Sequence, residues 1–124
     1  MKKVFSFTLD TKRPCLSRLR GLVDGDTENE FDITVTDDGE PVRIPSSNTR
    51  VDAIFTRSDG KIEDIADVQY DDAYVTLDDI PATYLRAGVN TLELIVYQLN
   101  DGEWTKILTT QQKEIYVRQK KEIS

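Results

Sequence analysis

Five carboxylates fall within nine positions of the stretch LVDGDTENEFDITV, residues 22–35. They are Asp24, Asp26, Glu28, Glu30 and Asp32. Such a density of oxygen ligands could serve calcium, but an EF-hand loop requires glycine at its sixth position and a bidentate glutamate at its twelfth. Counted from Asp24, those positions hold Asn29 and Val35, and no helical pattern flanks the stretch. We interpret it as a turn that leads into a β-strand, and we predict no bound metal ion.

A second acidic run, IEDIADVQYDDAYVTLDD, covers residues 62–79. Two carboxylates can act as general acid and base in a glycoside hydrolase when burial separates their pKa values, but such enzymes need a cleft. We favour a solvated strand edge whose charges discourage edge-to-edge pairing. The chain also has no histidine, which removes the Ser-His and Cys-His catalytic arrangements and the commonest zinc ligand. We therefore predict no catalytic residue, no cofactor and no enzymatic activity.

The single tryptophan, Trp104, follows the dipeptide Asp101-Gly102 at the start of an alternating segment. On a sheet surface it could stack against a sugar ring, whereas in the interior it would fill the core. We expect the core or a sheet surface. Carbohydrate recognition by an adhesion module stays an alternative, and it requires a solvent-facing Trp104 with tyrosine and aspartate neighbours.

Strands must position these residues, because apolar and polar side chains alternate with period two along most of the chain. The alternation predicts a common inward face, and Asp-Gly dipeptides between the segments predict tight antiparallel hairpins. The expected inward residues are Phe5, Phe7, Phe31, Ile33, Val35, Val51, Phe55, Val75, Leu77, Leu92, Leu94 and Val96. The expected turns are Asp38-Gly39, Asp59-Gly60 and Asp101-Gly102.

Two segments depart from simple alternation. The stretch DDIPATYLRAG has proline near a helix start and glycine at its end, which predicts one short helix near residues 80–87. The stretch NTLELIVYQL is apolar on both faces, because Ile95, Tyr97 and Leu99 lie opposite the inward residues. Such a strand is either central in a sheet or covered by a neighbouring subunit, and we expect some of these three residues to be covered by the short helix or by a second copy. The predicted fold is all-β, an antiparallel Ig-like β-sandwich forming one domain over 1–124, with a core of about 4–118 and a frayed tail at 119–124.

Charge is unevenly distributed along the 124 residues, whose net charge is −7. Residues 1–20 carry six basic side chains and one acidic, whereas 21–105 carry twenty acidic and five basic. An acidic body argues against nucleic-acid binding, which depends on lysine and arginine. Basic ends suggest contact with another copy, and we name Lys2, Lys3, Lys12, Arg13, Ile95, Tyr97 and Leu99 as candidate subunit contacts.

No apolar run approaches the roughly 20 residues of a membrane span. The apolar stretch near the N-terminus is shorter than the roughly 7 to 15 residues of a secretory signal, so we expect no signal peptide. A single cysteine, Cys15, excludes an intramolecular disulfide and suits a chain made in a reducing cytosol.

The order of motifs resembles the N-terminal domain of phage upper baseplate proteins, a structural family of phages that infect Gram-positive bacteria. The matching places are an arginine-containing strand at Arg18 or Arg20, the turn at 25–26, the strand at 31–35, DGEP at 38–41 and RSDG at 57–60. The stretch YVTLDDIPATYLRAGVNTLELIVY is similar to the strand, short helix and long strand of that family. The resemblance spans about residues 4–118.

The resemblance implies a role. A member of this family is a non-enzymatic virion protein that acts in tail or baseplate attachment through protein–protein docking. It would be made and assembled in the cytoplasm of the host bacterium, and its partners would be other virion proteins and copies of itself. A homo-oligomer is implied, with a trimer as the favoured symmetry, and neither nucleic acid nor a membrane is an expected partner.

Overall fold

The computed structural model of the chain describes residues 2–120, and its strands form two sheets that share one core. In the first sheet the order is β1 (Lys3–Asp10), β3 (Asn29–Asp37), β8 (Tyr74–Leu77) and β7 (Gln69–Asp71), with β4 (Glu40–Pro41) paired to β3. In the second sheet the order is β2 (Leu19–Val23), β11 (Lys113–Arg118), β9 (Gly88–Asn100), β5 (Thr49–Thr56) and β6 (Ile62–Ile65), with β10 (Glu103–Thr109) paired to β9. The all-β prediction is confirmed. Of the tail predicted to fray, residues 121–124 lie outside the described residues.

The three Asp-Gly dipeptides lie between antiparallel strands, as predicted. They connect β3 to β4, β5 to β6, and β9 to β10. In the first and last of these turns both residues have positive φ, with 51° and 89° at 38–39 and 52° and 79° at 101–102. That is the backbone of a type I′ turn, which matches the twist of the flanking strands and favours Asp-Gly.

The sheets are mixed, so the prediction of a wholly antiparallel sandwich is wrong in one respect. Strand β1 runs parallel to β3, and β2 runs parallel to β11. The N-terminal segment therefore contributes one strand to each sheet. Parallel neighbours cannot be joined by a tight turn, so no local turn signal could indicate these pairings.

The core consists of apolar side chains from both sheets, and ten of the twelve predicted inward residues are buried in it. The largest fully buried side chains are Phe31 and Phe55, each with no exposed surface. The two exceptions, Phe5 and Phe7, are half-buried because β1 is an edge strand. Both still pack edge-on against Phe31, with ring centroids 5.9 and 5.5 Å away.

The predicted helix is a single 3-10 turn at Ala82–Tyr84. Tyr84 packs against Phe55 with ring centroids 5.9 Å apart, so the turn closes one end of the core. It does not lie over the second face of β9. Beside it, the fully buried Asn90 accepts hydrogen bonds from the backbone amides of Ser58 and Arg86 at 2.9 and 3.0 Å, which ties this turn to the β5–β6 hairpin.

The second acidic run supplies edge strands, as interpreted from the sequence. Strand β6 is the edge of the second sheet and β7 is the edge of the first, so the segment crosses between the sheets at the margin of the sandwich. Within residues 2–120 no helix has the length and apolar character needed to span a membrane.

Candidate docking surface

The acidic stretch that suggested calcium forms a turn and a strand. Strand β2 ends at Val23, a turn follows, and β3 begins at Asn29. Lys3 Nζ lies 3.1 Å from Asp26, and Lys2 Nζ lies 2.8 Å from Glu30. No group of three or more potential ligands among residues 2–120 is arranged to hold a metal ion.

Two carboxyl groups of this stretch share one site on the outer face of the first sheet. Burial raises the pKa of Asp32, and the hydrogen bond to the neighbouring Glu30 carboxyl raises it further. Lys2 bridges Glu30 to Asp78, which lies 2.9 Å from its Nζ. These hydrogen bonds, that to Glu30 first, raise the pKa of Lys2 well above its ordinary value. Through these two ion pairs Lys2 connects β3 to the end of β8.

The other N-terminal cations also have partners in their own chain. Lys12 Nζ lies 3.6 Å from Asp37, and Arg13 Nε donates to Asp38 Oδ1 at 3.1 Å. Both side chains remain largely exposed, at 66% and 63%. Their predicted role as subunit contacts stays a prediction, and Lys12 and Arg13 are the two that reach furthest into solvent.

The second face of β9 is covered only in part. Ile95 is buried within the single chain, between Asp52 of β5 and Thr109 of β10. Tyr97 and Leu99 are half-buried. Ile95 is therefore buried by neighbouring strands of the same chain, as fits a strand in the interior of a sheet, whereas coverage of Tyr97 and Leu99 by a second copy stays a prediction.

An arginine joins this face and was not singled out from the sequence. Arg50 of β5 lies directly across from Tyr97, and its guanidinium carbon is 4.9 Å from the Tyr97 ring and 5.0 Å from the Trp104 ring. A guanidinium over an aromatic face gains a cation–π attraction. Arg50 Nε also lies 3.3 Å from Asp52 Oδ1, yet it forms no hydrogen bond with the described residues. The guanidinium is thus held between two rings with hydrogen-bonding capacity left over.

Trp104 lies on the sheet surface, which is one of the two places expected for it. Its side chain is 43% exposed and lies across from Leu99 in the β9–β10 hairpin. In the next row Lys106 lies across from Tyr97. We call this surface the Arg50 patch, and it consists of Arg50, Tyr97, Leu99, Trp104 and Lys106. A β-bulge follows Lys106, and the residue inserted there, Ile107, is 50% exposed.

Part of the patch could have been found from the sequence. The two-residue turn at 101–102 sets the register of the hairpin, so counting back from it places Leu99 across from Trp104 and Tyr97 across from Lys106. Arg50 could not be found in this way, because β5 precedes β9 by more than 30 residues and no local signal specifies their pairing.

Comparison with known proteins supports the fold. No protein-family model matches the chain, and no curated protein sequence matches it. Among solved structures it is similar to the N-terminal domain of phage TP901-1 ORF48, with a TM-score of 0.70 and 14% sequence identity. The match covers 94% of this chain and 98% of that chain. The resemblance seen in the sequence is therefore confirmed at the level of the fold.

Proposed function

We propose that this chain is a non-enzymatic structural domain of a phage virion, which attaches within the tail or baseplate by docking to other virion proteins. The observation that carries the proposal is the match to a phage protein domain over nearly the full length of both chains. If only a piece of this chain shared that fold, the match would cover only part of one of the two chains. The order of motifs in the sequence supports the same assignment independently of the coordinates.

The proposal includes self-assembly. Copies of the chain form a homo-oligomer, with a trimer as the favoured symmetry, and the exposed cations Lys12 and Arg13 approach the acidic surface of a neighbouring copy. Tail components are arranged around a rotation axis, and a cyclic assembly places two different surfaces of one chain against each other.

Immunogold electron microscopy tests the virion assignment. Particles are induced from the bacterial strain that carries the gene and labelled with antibody against this chain. We expect gold at the tail tip, and the chain should be present in the particles by mass spectrometry after density-gradient purification. A strain deleted for the gene is the control. Particles that contain no trace of the chain, from cells that do express it, would contradict the proposal.

Carbohydrate recognition is the second candidate, and one observation favours it. Trp104 faces solvent beside Tyr97, and Asp52 lies next to the Arg50 that contacts both rings. These are the neighbours that the sequence-based alternative required. Titration with cell-wall oligosaccharides of the host tests it, because stacking of a sugar would change the fluorescence of Trp104, the only tryptophan of the chain.

A further inference from the structure

The composition of the Arg50 patch is that of a protein-binding hot spot. Tryptophan, tyrosine and arginine are the residue types that dominate binding energy at protein interfaces. Here an arginine contacts one tyrosine and one tryptophan, and the three residues lie on three adjacent strands of a sheet rather than on a loop. A site built on strands keeps its geometry before a partner arrives, which reduces the entropy lost on binding.

The polar part of the patch is suited to a carboxylate. A planar guanidinium can bind a carboxylate through two parallel hydrogen bonds, and Arg50 is held in place by the rings of Tyr97 and Trp104. Its side chain is 31% exposed, although the Nε atom itself is buried, so a ligand would bind the terminal nitrogens. On the other side of Tyr97, Lys106 has no carboxylate within ion-pair distance among residues 2–120. Two cations therefore flank one ring: Arg50, whose Nε lies 3.3 Å from the buried Asp52, and Lys106, which has no carboxylate partner among those residues.

The size of the patch fits a short segment better than a second folded copy. Trp104 is the large apolar side chain exposed in the patch, and the bulge residue Ile107 is exposed next to Lys106 on β10; together the two offer on the order of 200 Å². A stable interface between folded proteins buries about 800 Å² on each partner. A few side chains of an extended segment would cover the patch.

The edge of β10 argues against pairing with another copy of itself. No strand pairs with its outer side in the described part of the chain. In an antiparallel pair of β10 strands centred on residue 106, Lys106 would face the same lysine of the other copy, and like charges in that position are destabilising. The bulge after Lys106 disrupts the edge further.

From these observations we infer that the Arg50 patch binds an extended segment of another protein in which a carboxylate side chain is flanked by apolar side chains. The carboxylate would bind Arg50 and Lys106, and the apolar side chains would cover Trp104 and Ile107. The inference rests on the proposed function, since it names the surface and the partner chemistry of the docking proposed there.

Two blocked five-residue peptides test the inference on the intact chain. One has a central aspartate between two leucines with threonine at each end, and the other has asparagine in place of the aspartate. Binding is followed by the indole N–H resonance of Trp104 in nuclear magnetic resonance spectra. We expect a saturable shift with the aspartate peptide at millimolar concentration and at least tenfold weaker binding of the asparagine peptide. Arg50→Gln should abolish that difference.

The matched control is Arg86→Gln, which removes an exposed arginine between the 3-10 turn and the start of β9, at the opposite end of that strand from the patch, and should leave both titrations unchanged. Circular dichroism and the melting temperature establish that each variant is folded. Equal binding of the two peptides, or no movement of the indole resonance with either, would overturn the inference. A shift caused only by a cell-wall oligosaccharide would overturn it in favour of a glycan site. None of these outcomes affects the location of the chain in virions, which the immunogold experiment measures.

Discussion

At the scale of single residues, buried polar groups tie the strands together. The Asp10 carboxylate is the clearest case, because it accepts the Thr36 hydroxyl at 2.6 Å and four backbone amides, those of residues 12, 13, 38 and 39. These bonds connect the end of β1 to the β3–β4 hairpin. Burial alone would raise the pKa of Asp10, but the bonds, that from Thr36 foremost, outweigh it and hold the pKa well below its ordinary value.

A pH dependence follows from Asp10. A carboxyl whose pKa is lower in the folded than in the unfolded chain stabilises the fold above its unfolded pKa, and that stabilisation is lost as the pH falls through the folded pKa. The melting temperature should therefore begin to fall when the pH is lowered below about 4. Asp10→Asn should melt several degrees lower at neutral pH, because the NH2 group of the amide would face the hydrogen-bond donors that surround the carboxylate. Its melting temperature should fall less on acidification, because the variant has no carboxyl group at this position to protonate. Thermal melts by circular dichroism between pH 7 and pH 2.5 measure both effects.

The exposed Asp71 on β7 provides the comparison, since Asp71→Asn should reproduce the profile of the unchanged chain. If the melting temperature of Asp10→Asn falls with pH as steeply as that of the unchanged chain, a group other than Asp10 determines the acid sensitivity of the fold.

At the scale of elements, sequence reasoning succeeded where a strand carries its own pattern. Strands β3, β5 and β9 alternate with large apolar side chains, and the interior holds the residues expected from them. For β6 and β7 the acidic run predicts a solvated edge but not the bounds of the strands, because both are short and have few inward apolar residues. Of the Arg50 patch, the sequence indicates Tyr97, Leu99 and Trp104 separately but not Arg50, because Arg50 joins them only through the pairing of β5 with β9 across a long interval of sequence.

The core assignment makes a prediction for the interior strands. Phe31→Ala on β3 and Phe55→Ala on β5 should each lower the free energy of unfolding by about 3 to 5 kcal/mol, because each removes a fully buried ring. The total for a domain of this kind is about 5 to 15 kcal/mol, so either change could leave the chain largely unfolded. Urea denaturation followed by fluorescence and circular dichroism measures the difference.

Ile62→Ala on the edge strand β6 is the matched control. Its side chain is 65% exposed, and the expected change is within about 0.5 kcal/mol. A loss below about 1 kcal/mol at both phenylalanines would contradict the core described here.

At the scale of the whole molecule, the N-terminal cations form ion pairs with carboxylates of the same chain, and the molecule as a whole stays acidic. Lys2, Lys3, Lys12 and Arg13 each have a carboxylate partner within the chain, and the net charge is still −7. Exposed ion pairs of this kind contribute little to stability, so they can exchange partners when another acidic surface approaches. The association of copies should therefore depend on the ionic strength.

The expected behaviour is self-association that weakens with salt, because contacts between exposed charges are screened. Multi-angle light scattering over a range of protein concentrations, at about 50 mM and about 500 mM salt, should give a larger mass at the lower salt. Reversing Lys12 and Arg13 together to glutamate should shift the chain towards the monomer, whereas Lys61→Glu should not. A strict monomer at high concentration in low salt would rule out self-assembly of this domain and leave docking to other proteins.

The parallel pairing of β2 with β11 determines when the domain can be completed during synthesis. Strand β11 lies between β2 and β9, so an interior position of the second sheet is filled by the strand that is synthesised last among those of residues 2–120. At about 5 to 20 residues per second, roughly 5 to 20 s pass between the synthesis of β2 and that of β11, the one strand that pairs with β2 in the described part of the chain. During that interval Leu22 has no strand beside it, and the same holds for the apolar side chains at the start of β9 from the time that β9 is made. The nascent chain is thus open to mispairing or to a chaperone until residue 118 emerges, and completion is a single late event.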